Sequence, residues 1–316
     1  MEKSLRLINL AAGLLSLLIL LPNLVGYPLS NNQQWLIFGI LMLTTGLPHG
    51  ATDHLVFQNS SQKLHGKQFW IRFLGRYFLL MGIYTCVWLL FPGISLLIFL
   101  LMSFFHFGQS EFFYIQSSEK HPLKLLLYFS WGALILLSIL HFNFGQSIAL
   151  IGEIIPFESE IQQFWMAYGN IFLASFAVIT FFCLLYFLVK RAISTFDLYI
   201  EIGLIAFFIF TFYYANLLIS FVIYFGLWHA VKAIYFELRA FEQEKRVGLK
   251  KFIWAAIPFT LLSVLGIGLL MFISSWTSTI VSPLMLFFIV ISVLTLPHMT
   301  FMAGLYQKKQ KAIIRQ

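Results

Sequence analysis

Long unbroken apolar runs dominate this chain, with neither the strict alternation of strands nor a sustained heptad. A membrane-crossing helix needs roughly 20 mostly apolar residues. Stretches close to that length lie at Leu7–Val25, Trp35–Gly50, Phe69–Phe91, Ile94–Ile115, Leu123–Phe142, Phe164–Val189, Leu198–Tyr213, Asn216–Phe236, Phe252–Ile273 and Ile280–Tyr306. The pattern predicts an all-α, polytopic membrane protein of about ten spans. The second and seventh runs are short, which leaves room for one of them to be partly re-entrant. The first has the look of a signal peptide, with Lys3 and Arg6 ahead of an apolar stretch. It lacks a small-residue cleavage site and runs straight into Pro22-Asn23, so it reads as a retained helix.

The polar connections alternate in charge. One set carries Lys63, Lys67 and Arg72, then Lys120 and Lys124, Lys190 and Arg191, a group from Arg239 to Lys251, and finally Lys308 to Arg315. The intervening connections, Pro22–Gln34, Pro92–Gly93, Asn143–Gln163, Tyr214–Ala215 and Ser274–Thr279, contain no Lys or Arg. Cytoplasmic loops carry the excess of Lys and Arg, so both termini are placed in the cytoplasm and ten is the span count that keeps the alternation unbroken. Glu237–Lys251, the longest polar stretch, reads as a solvated helix extension. Asn143–Gln163 reads as an acidic external loop. No domain boundary is visible, so residues 1–316 form one membrane-embedded domain.

Composition agrees. Hydrophobic residues make up 60% and charged residues 10%, against about 25% charged in a soluble domain. The net charge of +8 is scattered among short loops and reports topology; nucleic acid is not expected as a partner, whereas the lipid bilayer is. Cys86 and Cys183 lie in apolar runs without metal-ligand spacing and read as small buried hydrophobes. No Gly-rich phosphate loop is present, and Lys and Arg are sparse inside the spans, which counts against voltage sensing.

Candidate chemistry resides in the histidines. His65 and His121 fall in cytoplasmic loops, and His141 falls at the outer end of the fifth span. His49, His106, His229 and His298 fall in the second, fourth, eighth and tenth spans, which all run in the same direction. They stand about 14, 12, 13 and 18 residues from the starts of their spans, at about 1.5 Å of rise per residue. The first three are therefore nearly level, and the fourth joins them if its helix enters the bilayer near Pro283. Any one of these alone is readable as a buried histidine satisfied by a backbone carbonyl. Four at a shared depth point to a metal, because imidazole is a neutral ligand that suits iron, zinc or copper. Asp53, four residues after His49, and Glu111, five after His106, are candidates to hold the other ring nitrogens of ligating histidines. Both are equally readable as interfacial residues. His54 is a spare ligand or an interfacial residue. Pro48 and Pro297 directly precede His49 and His298.

The motifs Gly46-Leu47-Pro48-His49-Gly50-Ala51-Thr52-Asp53, Phe105-His106-Phe107-Gly108, Trp228-His229 and Leu296-Pro297-His298-Met299 resemble those of the Brp/Blh family. These are the bacteriorhodopsin-related β-carotene 15,15′-dioxygenases of bacteria and archaea. The resemblance covers nearly the whole chain. It implies cleavage of β-carotene by O2 at the central double bond to give two retinal, with a non-haem Fe(II) as cofactor. It also implies a multi-pass protein of a prokaryotic plasma membrane, its product passed to a microbial rhodopsin. His49, His106 and His229 are carried over as iron ligands, and Asp53 and Glu111 match acidic positions of the motifs. The chain departs from the family at one position: the third motif continues elsewhere as His-x-x-x-His, and here Ala233 occupies the second place. Either His298 completes the ligand set, as its depth favours, or His54 does, or the activity is altered or lost. A competing class is a membrane transporter or channel with a histidine metal or proton site. It gains only a faint internal echo, Thr45 to His49 against Thr295 to His298.

Overall fold

The computed structural model describes residues 3–60, 66–115, 117–118, 120–156, 158–243, 248–276 and 281–314. Among these every regular element is helical. Ten helices are long and apolar enough to cross a membrane: α1 Ser4–Leu24, α2 Asn31–Asn59, α3 Gly66–Leu90, α4 Pro92–Phe112 and α5 Pro122–Phe142, then α7 Ser159–Val189, α8 Thr195–Tyr214, α9 Leu217–Phe241, α10 Leu249–Trp276 and α11 Pro283–Lys308. A short helix, α6, spans Phe144–Gly152 between α5 and α7.

Local chemistry sets the starts. Ser30 with Gln33 and Ser194 with Asp197 form capping boxes at α2 and α8, each satisfying two otherwise orphaned amides. Proline opens α4, α5 and α11, where its missing N–H goes unneeded. α11 begins at Pro283, the point that levels His298 with the other three histidines.

Several expectations need correction. α2 and α8 are 29 and 20 residues long, enough for each to cross, so neither needs a re-entrant form. α2 bends on the way: a π-helical turn occupies Met42–Gly46, and Ala51-Thr52 forms a turn before the helix resumes at Asp53. The Asn143–Gln163 connection is no simple acidic loop, since it contains α6, and Glu153 accepts a bond from the Ser282 amide (2.7 Å). Lys124, read from sequence as a loop charge, is fully buried. Its ammonium donates to the carbonyls of Phe113, Ile115 and Ser117, placing a cation at the carbonyl end of α4, where the helix dipole favours it. Glu237, expected in solvent, is also fully buried.

α9 is the hub. Of its most apolar stretch 89% is buried, against 11% for α10 and 17% for α1. Those peripheral helices turn leucines such as Leu7, Leu18, Leu262 and Leu265 outward, the sense expected where lipid is the solvent. α4 and α5 touch backbone to backbone: a Cβ on Gly108 would overlap the main chain of Tyr128, and one on Gly132 that of Phe104. Small residues at such crossings let membrane helices approach closely.

Candidate metal centre

Four helices bring four imidazoles together. His49, on α2, follows the π-helical turn; His106 lies in regular helix on α4; His229 sits inside a second π-helical stretch, Ile223–Ala230, of α9; His298 follows Pro297 on α11. All are buried, between 2% and 5% exposed. The rings form a closed circuit: His49 to His298 4.9 Å between centroids, His298 to His106 5.4 Å, His106 to His229 5.1 Å and His229 to His49 5.4 Å. Each adjacent pair is edge to face, with interplanar angles from 71° to 89°.

The ring nitrogens fall into two sets. His298 Nδ1 donates to Asp53 Oδ1 (2.7 Å), and His49 Nδ1 bonds the Gly46 carbonyl. Such bonds fix the tautomer and leave Nε2 as the nitrogen with a free lone pair. The Nε2 atoms of His106, His229 and His298 are buried without a hydrogen-bond partner, and native structures rarely leave such atoms unsatisfied. Imidazoles bound through Nε2 at about 2.1 Å hold their centroids about 3.2 Å from an ion, so neighbouring rings stand about 4.5 Å apart at a right angle and about 5.2 Å apart at the tetrahedral angle. The observed spacings lie on that scale. Among the described residues no group of three or more His, Cys, Asp or Glu side chains stands close enough together to hold a metal ion as it is. The donor set suits a metal by the number and neutral charge of its imidazoles.

Asp53, one turn on from His49, is readable from sequence as that histidine's partner or as an interfacial residue. The turn at Ala51-Thr52 rotates it away, and it reaches across to His298 instead. Glu111 lies 2.6 Å from the Lys232 ammonium, with the buried Glu201 of α8 beside them; its bond runs to a lysine and not to a histidine. His54 stands outside the ring circuit, packed on Trp70 and Phe259. His141 accepts from the Trp165 indole (3.2 Å), and His121 lies 3.4 Å from the Tyr186 hydroxyl. His65 falls outside the described residues.

Sequence reasoning missed Glu237 and Lys232. The Thr52 hydroxyl donates to Glu237 (2.5 Å), tying α9 to the α2 turn that carries Asp53. The signal was present, because Glu237 lies eight residues after His229 and Ala233 four, which puts all three on one helix face. All three are buried.

The four histidines line one wall of a cavity of about 520 Å³, within the range of small-molecule sites. Most of its other walls are apolar, with Phe99, Leu136, Phe221, Phe225, Phe259 and Ile291 among them.

A family model described as Beta-carotene 15,15'-dioxygenase matches residues 40–306. A protein of an uncultured marine bacterium, named Beta-carotene 15,15'-dioxygenase, is 38% identical over 84 residues, covering 26% of this chain and 30% of the relative. The aligned part is thus under a third of that relative's length. No solved structure matches the chain.

Proposed function

The chain belongs to the β-carotene 15,15′-dioxygenase family, and on that premise we propose that it splits β-carotene at its central 15,15′ double bond with O2 to give two retinal. The balance is simple: one C=C bond breaks, two C=O bonds form, and each atom of O2 ends on one aldehyde. No outside reductant is needed.

The observation that carries this reading is the circuit of four imidazoles, with unpartnered Nε2 atoms, on the wall of an apolar cavity. His49, His106, His229 and His298 would hold a non-haem Fe(II). The iron, when bound, supplies the redox chemistry that activates O2. Asp53 holds the His298 ring in place through Nδ1, as a partner of a ligating histidine does. Apolar walls exclude water and keep a rigid polyene aligned, so the protein's main contribution is positioning. The substrate dissolves in the bilayer, which suits a membrane enzyme; the loop charges favour cytoplasmic termini, and the family resemblance implies a prokaryotic plasma membrane. The product would be passed to a microbial rhodopsin. The transporter reading gains nothing here, because an ion path carries polar groups along its length and these walls are mostly apolar.

Expression in a β-carotene-producing bacterium, with pigment extraction and chromatography, tests the reaction. Retinal should appear and β-carotene should fall; unchanged β-carotene with no aldehyde sinks the reading. Metal content of purified His298→Ala addresses the place of Ala233. If His298 is a fourth ligand, iron is lost as completely as in His49→Ala, and Ala233→His, on the face of His229, restores part of it. Retained iron with measurable cleavage would make it a three-ligand site.

A further inference from the structure

The cavity beside the histidines has two unlike ends. Between α3 and α10 its wall reaches the outer surface of the bundle: Phe78 is 58% exposed, Leu262 60% and Leu270 41%. A side chain added at Gly266, also on this wall, would meet open space. At the bundle face free of Lys and Arg the wall is closed. Ser147 and Leu150 of α6, Leu140 of α5 and Leu217 of α9 line it there, with Ser147 and Leu217 only 3% and 4% exposed.

α6 is held from three sides. The Ser147 hydroxyl donates to the Leu140 carbonyl of α5 (3.2 Å), Gln146 Oε1 accepts the Leu217 amide of α9 (2.9 Å), and Glu153, just past the helix, accepts the Ser282 amide ahead of α11 (2.7 Å). Asn143, at its other end, donates to Ser220 Oγ (3.3 Å). A nine-residue helix tied in this way is a fixed wall and not a loop.

Its distance from the histidines follows from helix geometry. The lining residues Leu96, Leu217 and Met285 precede His106, His229 and His298 on their own helices by about 10, 12 and 13 residues, or about 15–20 Å at 1.5 Å per residue. The double bonds of a long conjugated polyene are chemically near-equivalent, so selection of one must come from where the molecule stops. We propose that α6 is the end-stop of the substrate cavity. A ring-ended polyene enters through the flank between α3 and α10, and its leading half fills the closed arm until the ring meets Ser147 and Leu150. The distance from this stop to the imidazoles then selects the bond that is cut. The inference rests on the reaction proposed above and adds the residues that set its position.

The test compares wild type, Leu150→Trp and Leu150→Ala in β-carotene-producing cells, with aldehyde chain lengths read by mass spectrometry and bound iron measured on purified protein. A shortened arm should halt the substrate early, and a lengthened arm should let it run deeper. Displacement by about 1 Å at the reacting atoms costs on the order of 100-fold, so retinal should fall by roughly that factor in Leu150→Trp. Paired longer and shorter aldehydes should replace it, with iron content unchanged. Leu150→Ala only removes atoms, so it carries the test if the tryptophan variant does not fold. Retinal as the sole product of the variants, at wild-type yield, overturns the end-stop. Absence of retinal from wild type itself is a different failure, that of the reaction.

Discussion

Two buried polar clusters lie close together in this bundle, and they are finished differently. In the first, four imidazoles stand around a space, and three Nε2 atoms have no partner. In the second, Glu111, Lys232 and Glu201 lie together, with a 2.6 Å ion pair between the first two, and among the buried side-chain atoms of these described residues Glu201 Oε2 alone lacks a bond. Both put costly groups in an apolar interior. The second largely satisfies itself across three helices, as a structural clamp does. The first leaves three ring nitrogens without a partner beside the cavity. Buried polarity alone does not mark a site; buried polarity left open toward a cavity does.

The contrast predicts a graded series. Replacing His49, His106 or His229 by Ala should remove bound metal and bring retinal to the level of empty cells, with protein yield near normal; elemental analysis and chromatography read both. Normal metal in His106→Ala would erase the distinction between the clusters. Lys232→Met should do the reverse. Breaking a buried pair costs about 3–5 kcal/mol, so its thermal midpoint in detergent should fall sharply while the folded fraction keeps its metal, and Glu111→Leu added to it should recover part of the loss. Asp53→Asn keeps the shape of the His298 contact and removes the charge, so metal affinity should weaken by roughly 10–100-fold, measured by chelator competition. His141→Ala, at the Trp165 contact, should change stability by no more than about 0.5 kcal/mol, as substitutions away from buried networks do, and leave metal content alone.

Much of this was legible in the sequence, for identifiable reasons. Ten apolar runs and an alternating loop charge are properties of length and composition, so the spans needed no tertiary information. The histidine layer was legible because four helices of common direction turn residue number into depth. What was hidden depends on rotation. Asp53 looked like the partner of His49 because an uninterrupted helix would stack them, and the turn at Ala51-Thr52 breaks that stacking. Glu237 and Lys124 looked solvated because charged residues at helix ends usually are. Their burial follows from contacts with Thr52 and with the carbonyls after α4, which local pattern does not encode. α6 was hidden because a nine-residue helix is too short to register against spans of twenty.

The paired glycines of α4 and α5 reach beyond packing. Gly108 sits two positions after His106, so the contact that seats Gly108 on Tyr128 also fixes where His106 is delivered. A methyl group at residue 108 has main chain in its way, and backbone, unlike a flexible side chain, does not swing aside. The helices would have to part, and the imidazole would be carried off with its own helix. The tolerance of the histidine circuit is therefore set at a backbone joint, two residues along the helix from the ring it positions. A single hydrogen atom, the only side chain glycine has, is the shim that sets it.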